Sequence, residues 1–255
     1  MTEPRVQLGS IDAAGRRRVP KMSERVAHQI VNFIIESGLE EGTPLPVEAE
    51  LAESLNVGRN TLREALLLLE TWGVITVKPG RNGGPLVRRP RPEDLREALT
   101  LQLQFASATL RDIIEARAAV EPMTASLAAA RMSAADIARL EASVARMREK
   151  ADNMHIFLEE NRRFHSLIAE STGSVVLRAF IDTIKSISDG AVAGVGYSVA
   201  RRNAVADAHD RITKAISNRD AELAEREMRH HIEEAHAYWL KLGGIVDRTL
   251  RVPGH

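Results

Sequence analysis

The chain has 255 residues, 44% hydrophobic and 27% charged, with 35 basic and 35 acidic side chains and no cysteine. That length and composition allow two modest domains, each with its own core, and exclude a disulfide framework or thiol chemistry. No apolar run approaches the ~18 residues of a membrane helix and no apolar signal core opens the chain, so the expectation is a cytoplasmic protein with no membrane partner.

Residues 1–20 lack periodicity and end in a cluster, Arg16-Arg17-Arg18, that reads as a disordered basic arm. From Met22 to Ser37 the residues Val26, Ile30, Phe33 and Ile34 form one helical stripe, with Ser23 as candidate N-cap and Gly38 as the stop. After the loop Glu40–Pro46, a short helical pattern from Glu48 to Leu55 faces Leu51, Ala52 and Leu55 one way, and Asn56-Val57-Gly58 interrupts it. A second pattern starts at Arg59, with Leu62, Ala65, Leu66 and Leu69 at i, i+3, i+4 and i+7. Two short helices joined by so short a turn suit a helix-turn-helix.

The outer face of the second helix opens with Arg59, Asn60, Thr61 and Arg63, side chains able to reach phosphates and base edges from the start of a recognition helix. Gly73–Val77 then reads as a strand, Lys78–Pro85 as a glycine-rich turn containing Arg81 and Gly83, and Leu86-Val87 as the return strand of a small wing. Residues 78–91 carry no acid. Overall neutrality therefore does not argue against nucleic acid, because local clustering matters more than the total.

Residues 22–87 resemble the winged helix-turn-helix of the GntR family of bacterial transcription regulators. The match rests on Leu45-Pro46, Glu48, Glu50-Leu51-Ala52, Val57, Arg59, Thr61, Arg63-Glu64-Ala65-Leu66, Leu69-Glu70, Gly73 and the glycine-rich wing. Ala49 stands where many members carry a DNA-contacting arginine, and Gly58 where a Ser or Thr usually caps the recognition helix; both departures bear on the operator sequence. The resemblance implies binding to double-stranded DNA at a palindromic operator by a homodimer, with Arg59, Asn60, Thr61 and Arg63 on the helix and Lys78, Arg81 and Gly83 on the wing as contacts.

Pro90-Arg91-Pro92 is a short stiff connection and places a domain boundary, so that residues 21–90 form the winged domain. Beyond it only helical patterns follow, at about 93–106, 110–131, 133–151, 153–171, 174–193, 199–218 and 220–242. The predicted fold is mainly α, with an all-helical domain over 93–243 and a loose tail at 244–255. Asp220 is placed to cap the last helix.

Three of these helices carry polar residues on their apolar stripes. Asn161 and His165, four apart, share a face with Phe157, Phe164 and Ile168; His209 lies among Val205, Ile212 and Ile216; His231 lies among Ala224, Met228, Ala235, Tyr238 and Leu242. His230 is turned about 100° from His231, to the wet side with Glu227 and Glu234. Such histidines are either hydrogen-bonded core residues or ligands of a divalent metal, and imidazole suits zinc, nickel, cobalt or copper. Arg117, on the stripe Leu110, Ile113, Ile114, Val120 and Glu121, either pairs internally with Glu121 or clamps an effector carboxylate.

Residues 93–242 are similar to the FCD ligand-binding domain of the FadR subfamily. The matching pieces are Arg117-x3-Glu121, Asn161-x2-Phe164-His165, His209 with Ile212 and Ala215-Ile216, and Met228-x2-His231-Ile232. The resemblance implies a six- or seven-helix bundle and a metal held by Asn161, His165, His209 and His231, zinc first, with nickel or another first-row ion as alternatives. It also implies a small carboxylate effector near Arg117. The reading is of a regulator, not an enzyme, and of a repressor relieved by its effector. Two others compete: a hydrolytic zinc centre, which leaves residues 45–87 unexplained and shows no obvious general base, and a metal-free dimerisation domain with the histidines as plain core.

Overall fold

The structure, a computed structural model, describes residues 20–80, 83–191, 196–242 and 244–250. The expected arm, residues 1–19, and wing residue Arg81 lie outside the described residues. The chain divides into two compact units between Pro90 and Arg91.

In the first unit, α1 (Met22–Glu36), α2 (Glu48–Ser54) and α3 (Arg59–Thr71) precede β1 (Ile75–Lys78) and β2 (Gly84–Val87). Its core is Val26, Ala27, Ile30 and Ile34 of α1 against Leu51 and Ala52 of α2 and Leu62, Ala65, Leu66 and Leu69 of α3. These are the positions that 3.6-residue periodicity turns inward. Two details differ from expectation. Phe33 is exposed while Ala27 is buried, and α1 is capped by Lys21, whose backbone N–H donates to Glu24, leaving Ser23 buried. The wing is antiparallel, pairing Ile75 with Val87 and Lys78 with Gly84. The segment before α2 borders its other edge: Leu45 N donates to the Pro85 carbonyl, and Val87 N to that of Thr43, both at 2.9 Å.

The second unit is all-helical: α4 (Pro92–Phe105), α5 (Leu110–Arg131), α6 (Ala134–Glu149), α7 (Met154–Ser171), α8 (Val175–Ala191), α9 (Val199–Ser217) and α10 (Ala221–Leu240). Side-chain oxygens start several of them: Ser133 accepts from Asp136 N, Asn153 from His155 and Ile156 N, Ser198 from Arg201 N, and Asp220 from Leu223 N. The 22-residue α5 is central and packs against α7, α8, α9 and α10. Its small residues Ala125, Ala128 and Ala129 are fully buried, which lets neighbouring backbones approach closely.

Residues 244–250, expected as part of a loose tail, are docked. Ile245, Val246 and Leu250 join the main core, Leu250 N donates to the Ala108 carbonyl at 2.9 Å, and Arg111 pairs with Asp247 at 2.7 Å. Apolar side chains just beyond a helix end find the groove beside α5, a contact that local periodicity does not reveal. The buried stripe of α10 is also rotated from the expected one. Ile232 and Trp239 are buried, Ala235 and Tyr238 only half-buried, and Leu242 exposed. A stripe drawn at seven-residue spacing drifts by about 20° per repeat on a straight helix.

Candidate functional site

Three imidazoles converge in the helical unit. His165 of α7, His209 of α9 and His231 of α10 are all buried, and one nitrogen from each lies within 4.8 Å of the others. His209 Nε2 and His231 Nε2 face each other at 3.3 Å. Ligand nitrogens about 2.0–2.1 Å from a tetrahedral zinc stand roughly 3.4 Å apart, so this pair has the spacing of two ligands of one ion. The Phe164 ring stacks on His209 at 3.7 Å between centroids and 7° between planes, which fixes the ring's tilt.

Burial holds His209 and His231 neutral, their proton affinities pushed well below the ordinary imidazole range, and the neighbouring histidines lower them further. His165 is lowered too, chiefly by burial, with Glu121 pulling the other way. Neutral imidazole is the form that binds a metal. His165 Nε2 is buried with no hydrogen-bond partner among the described residues; His209 Nδ1 is too, but with His209 Nε2 facing His231 that nitrogen is not the ligand atom. An unmatched buried nitrogen is costly, and a bound cation at this cluster would satisfy the nitrogens that face it. The donor set therefore fits a divalent metal. Asn161, half-buried one turn before His165, lines the same cavity as His165 and His231.

Glu121 supplies a contact that sequence reasoning did not assign. Its Oε2 lies 2.5 Å from His165 Nδ1, and its Oε1 accepts from Arg117 Nε at 2.5 Å. Burial alone would raise this carboxyl, but Arg117 and His165 outweigh it and hold the group well below the carboxylate range. Arg117 thus makes the internal pair with Glu121, and it also lines the cavity beside the histidines. The signal was the i, i+4 spacing of a buried arginine and acid on α5; which histidine the acid would reach depends on how α7 docks.

The cavity measures about 30 Å³ and continues to Lys185, Asp189, Tyr197, Arg201 and Trp239. Lys185 donates to Asp189 at 2.7 Å, and Arg162 pairs with Asp189 at 3.0 Å. Sequence reasoning assigned none of these five a role. His230 is on the outside, 3.3 Å from Glu234, as its turn away from His231 required.

In the first unit, Arg59, Asn60 and Arg63 are exposed on α3 and Thr61 is half-buried. Arg63 Nε pairs with Glu48 at 3.0 Å, across the turn between α2 and α3. Gly58 occupies the N-cap with no side-chain hydrogen bond, leaving the first-turn N–H groups uncapped. Lys78 is exposed at the end of β1. Gly83 is a steric requirement of the wing: a Cβ there would stand 2.0 Å from the Lys78 carbonyl oxygen, and its N–H donates to Gly80 at 2.9 Å.

A winged helix-turn-helix followed by a helical bundle with a histidine cluster defines a class of DNA-binding regulators with a ligand-sensing domain. Residues 22–82 match the family described as bacterial regulatory proteins, gntR family, and residues 112–234 match the FCD domain. The chain belongs to the GntR family, in its FCD-containing, FadR-like branch, and is a transcription regulator, not an enzyme. It is 31% identical over 228 residues, 85% of each chain, to the "Putative L-lactate dehydrogenase operon regulatory protein" of Escherichia coli (strain K12). To the Glc operon transcriptional activator of the same strain it is 29% identical over 221 residues, 82% of this chain and 85% of that one. Among solved structures, Streptococcus agalactiae GntR superposes with a TM-score of 0.64 at 27% identity, covering 84% of this chain and 99% of that one. Among the described residues no helix is long and apolar enough to cross a membrane.

Proposed function

We propose that this regulator senses a small carboxylate at a metal held by His165, His209, His231 and Asn161, and that the occupied site changes its affinity for DNA. The observation that carries the reading is the convergence of three buried neutral imidazoles, two of them with Nε2 atoms 3.3 Å apart. Zinc is the first choice, with nickel or another first-row ion as alternatives, since cellular availability decides occupancy as much as affinity does. When bound, such an ion would supply a positive centre that attracts a carboxylate, either as an additional ligand or in place of the weak amide oxygen of Asn161.

The chain's own residues do the rest. Glu121 orients His165; Arg117 adds positive charge to the cavity wall and favours an anion; α5, α7, α9 and α10 carry the site, so its filling bears on their packing. The relative named "Putative L-lactate dehydrogenase operon regulatory protein" is in keeping with a small carboxylate effector here. On the DNA side, Arg59, Asn60, Thr61 and Arg63 would read the major groove, with Lys78, Arg81 and Gly83 of the wing on the backbone. A homodimer would present two recognition helices to a palindromic operator in the cytoplasm. Repression relieved by the effector is the arrangement we carry forward.

The test is an operator titration with metal-loaded and chelated protein, with and without small carboxylates, beside elemental analysis of the purified protein. Stoichiometric metal and a metal-dependent change in DNA affinity on adding a carboxylate are expected. Absence of metal after purification and reconstitution would return the histidines to plain core.

A further inference from the structure

The cavity has a second end, away from the histidines. Arg201, in the first turn of α9, lines it together with Tyr197 and Trp239. Its guanidinium carbon sits 4.8 Å from the centroid of the Tyr238 ring, and its Nε is buried with no hydrogen-bond partner among the described residues. The other two cations on the cavity wall are committed, Arg117 to Glu121 and Lys185 to Asp189. Arg201 has no carboxylate partner among the described residues, and the neighbouring stretch 190–195 contains no acidic residue.

The surroundings of Arg201 are built. The chain has two tyrosines, and both are here: Tyr197 stacks on Tyr238 with centroids 5.6 Å apart. Trp239 Nε1 donates to the Tyr197 hydroxyl at 2.9 Å, and the Tyr238 hydroxyl donates to the Gly196 carbonyl at 3.3 Å. With both hydroxyls engaged, the Tyr238 ring face is what holds the guanidinium. A planar fork held this way and lacking an acceptor is prepared for a carboxylate, which it binds by two parallel hydrogen bonds.

We propose that Arg201 anchors a second anionic group of the effector, so that the effector is a short dicarboxylate with one end at the metal and the other at Arg201. This rests on the metal-site reading above. Charge supports it: Arg117, Lys185 and Arg201 face two carboxylates, Asp189 and Glu121, before any metal adds its own charge. A monocarboxylate at the metal would leave Arg201 unmatched.

The experiment is calorimetric titration of zinc-loaded full-length protein with malonate, succinate and glutarate, and with propanoate and butanoate as one-ended counterparts. The wild type should bind its preferred dicarboxylate about tenfold or more tightly than the matching monocarboxylate. Arg201→Gln should bring the two within about twofold of each other, with monocarboxylate affinity, zinc content and melting temperature unchanged. Should that variant lose zinc or melt early, Arg201→Lys, which keeps the charge and loses the fork, is read for the same narrowing. Equal affinity for both classes in the wild type, or a preference that survives both substitutions, overturns the proposal and leaves the metal-site reading standing. Zinc-loaded protein that binds no carboxylate of either class overturns both.

Discussion

Glu121 joins Arg117 to His165, with one carboxylate oxygen 2.5 Å from Arg117 Nε and the other 2.5 Å from His165 Nδ1. The Glu121 carboxylate beside Nδ1 favours the tautomer with the His165 proton on that nitrogen, which would leave Nε2, buried with no hydrogen-bond partner among the described residues, as the lone-pair nitrogen. A single acid on α5 is thereby placed to orient a candidate ligand on α7.

Glu121→Gln should weaken metal binding about 10–100-fold, the usual loss when a histidine ligand's partner is removed. It should also lower the melting temperature, because Arg117 is left buried without its counter-charge. The double change Arg117→Gln, Glu121→Gln removes that unpaired charge and should recover part of the melting temperature but not the metal affinity. Competition against a chromophoric chelator, run beside thermal melts, separates the two effects; unchanged metal affinity in both variants would remove Glu121 from the site.

The double change His165→Ala, His209→Ala should abolish metal binding and the effector response together, whereas His230→Ala, exposed beside Glu234, should alter neither. Chelation of the wild type should lower its melting temperature, since an ion bound only by the folded state stabilises it. Elemental analysis and melting curves decide this, and metal lost from the His230 variant would mean that the wrong histidines were chosen.

The pH dependence has a definite sign. His209 and His231 have folded-state proton affinities well below the unfolded value, so below about pH 6.5 the unfolded chain binds protons that the folded chain refuses. Chelated protein should therefore lose stability as pH falls from about 7 to 5, by on the order of 1 kcal/mol per pH unit for each such histidine. Metal should leave over the same range, as protons compete for the imidazoles. Urea unfolding at a series of pH values measures the slope, and an equal slope in His209→Ala would show that this imidazole is not its source.

Arg59→Ala and Arg63→Ala should each weaken specific operator binding by about 1–3 kcal/mol. Arg63 must exchange its exposed Glu48 partner for DNA, a pair too solvated to oppose the exchange strongly. Substitution of Lys78 or Arg81 should weaken binding to all sequences alike and flatten the salt dependence. Titration of operator and scrambled DNA at several salt concentrations distinguishes these patterns, and operator affinity unchanged in both α3 variants would mean that another surface reads the DNA.

Gly83→Ala should impair DNA binding without touching a contact residue's charge, because the added Cβ meets the Lys78 carbonyl at 2.0 Å and must distort the wing. Its metal content should stay at the wild-type level. Normal affinity for DNA in this variant would show that wing shape is not needed.

Periodicity alone located the helices and turned His165, His209 and His231 inward, because a helix of 3.6 residues per turn must bury its apolar stripe and whatever polar residues lie on it. The turn signals and the run Arg59, Asn60, Thr61, Arg63 likewise marked the DNA-binding unit, since short motifs carry their geometry with them. What local pattern leaves open is where one helix sits against another. Only the packing of α9 on α10 sets two Nε2 atoms 3.3 Å apart, and only the docking of α5 beside α7 hands His165 to Glu121. The same holds for Arg201, which reads as an ordinary first-turn residue until the start of α9 is placed beside Tyr238 of α10. Residues 245–250 escape a local reading for the same reason: Ile245, Val246 and Leu250 are buried by long-range contacts that no window of neighbours contains.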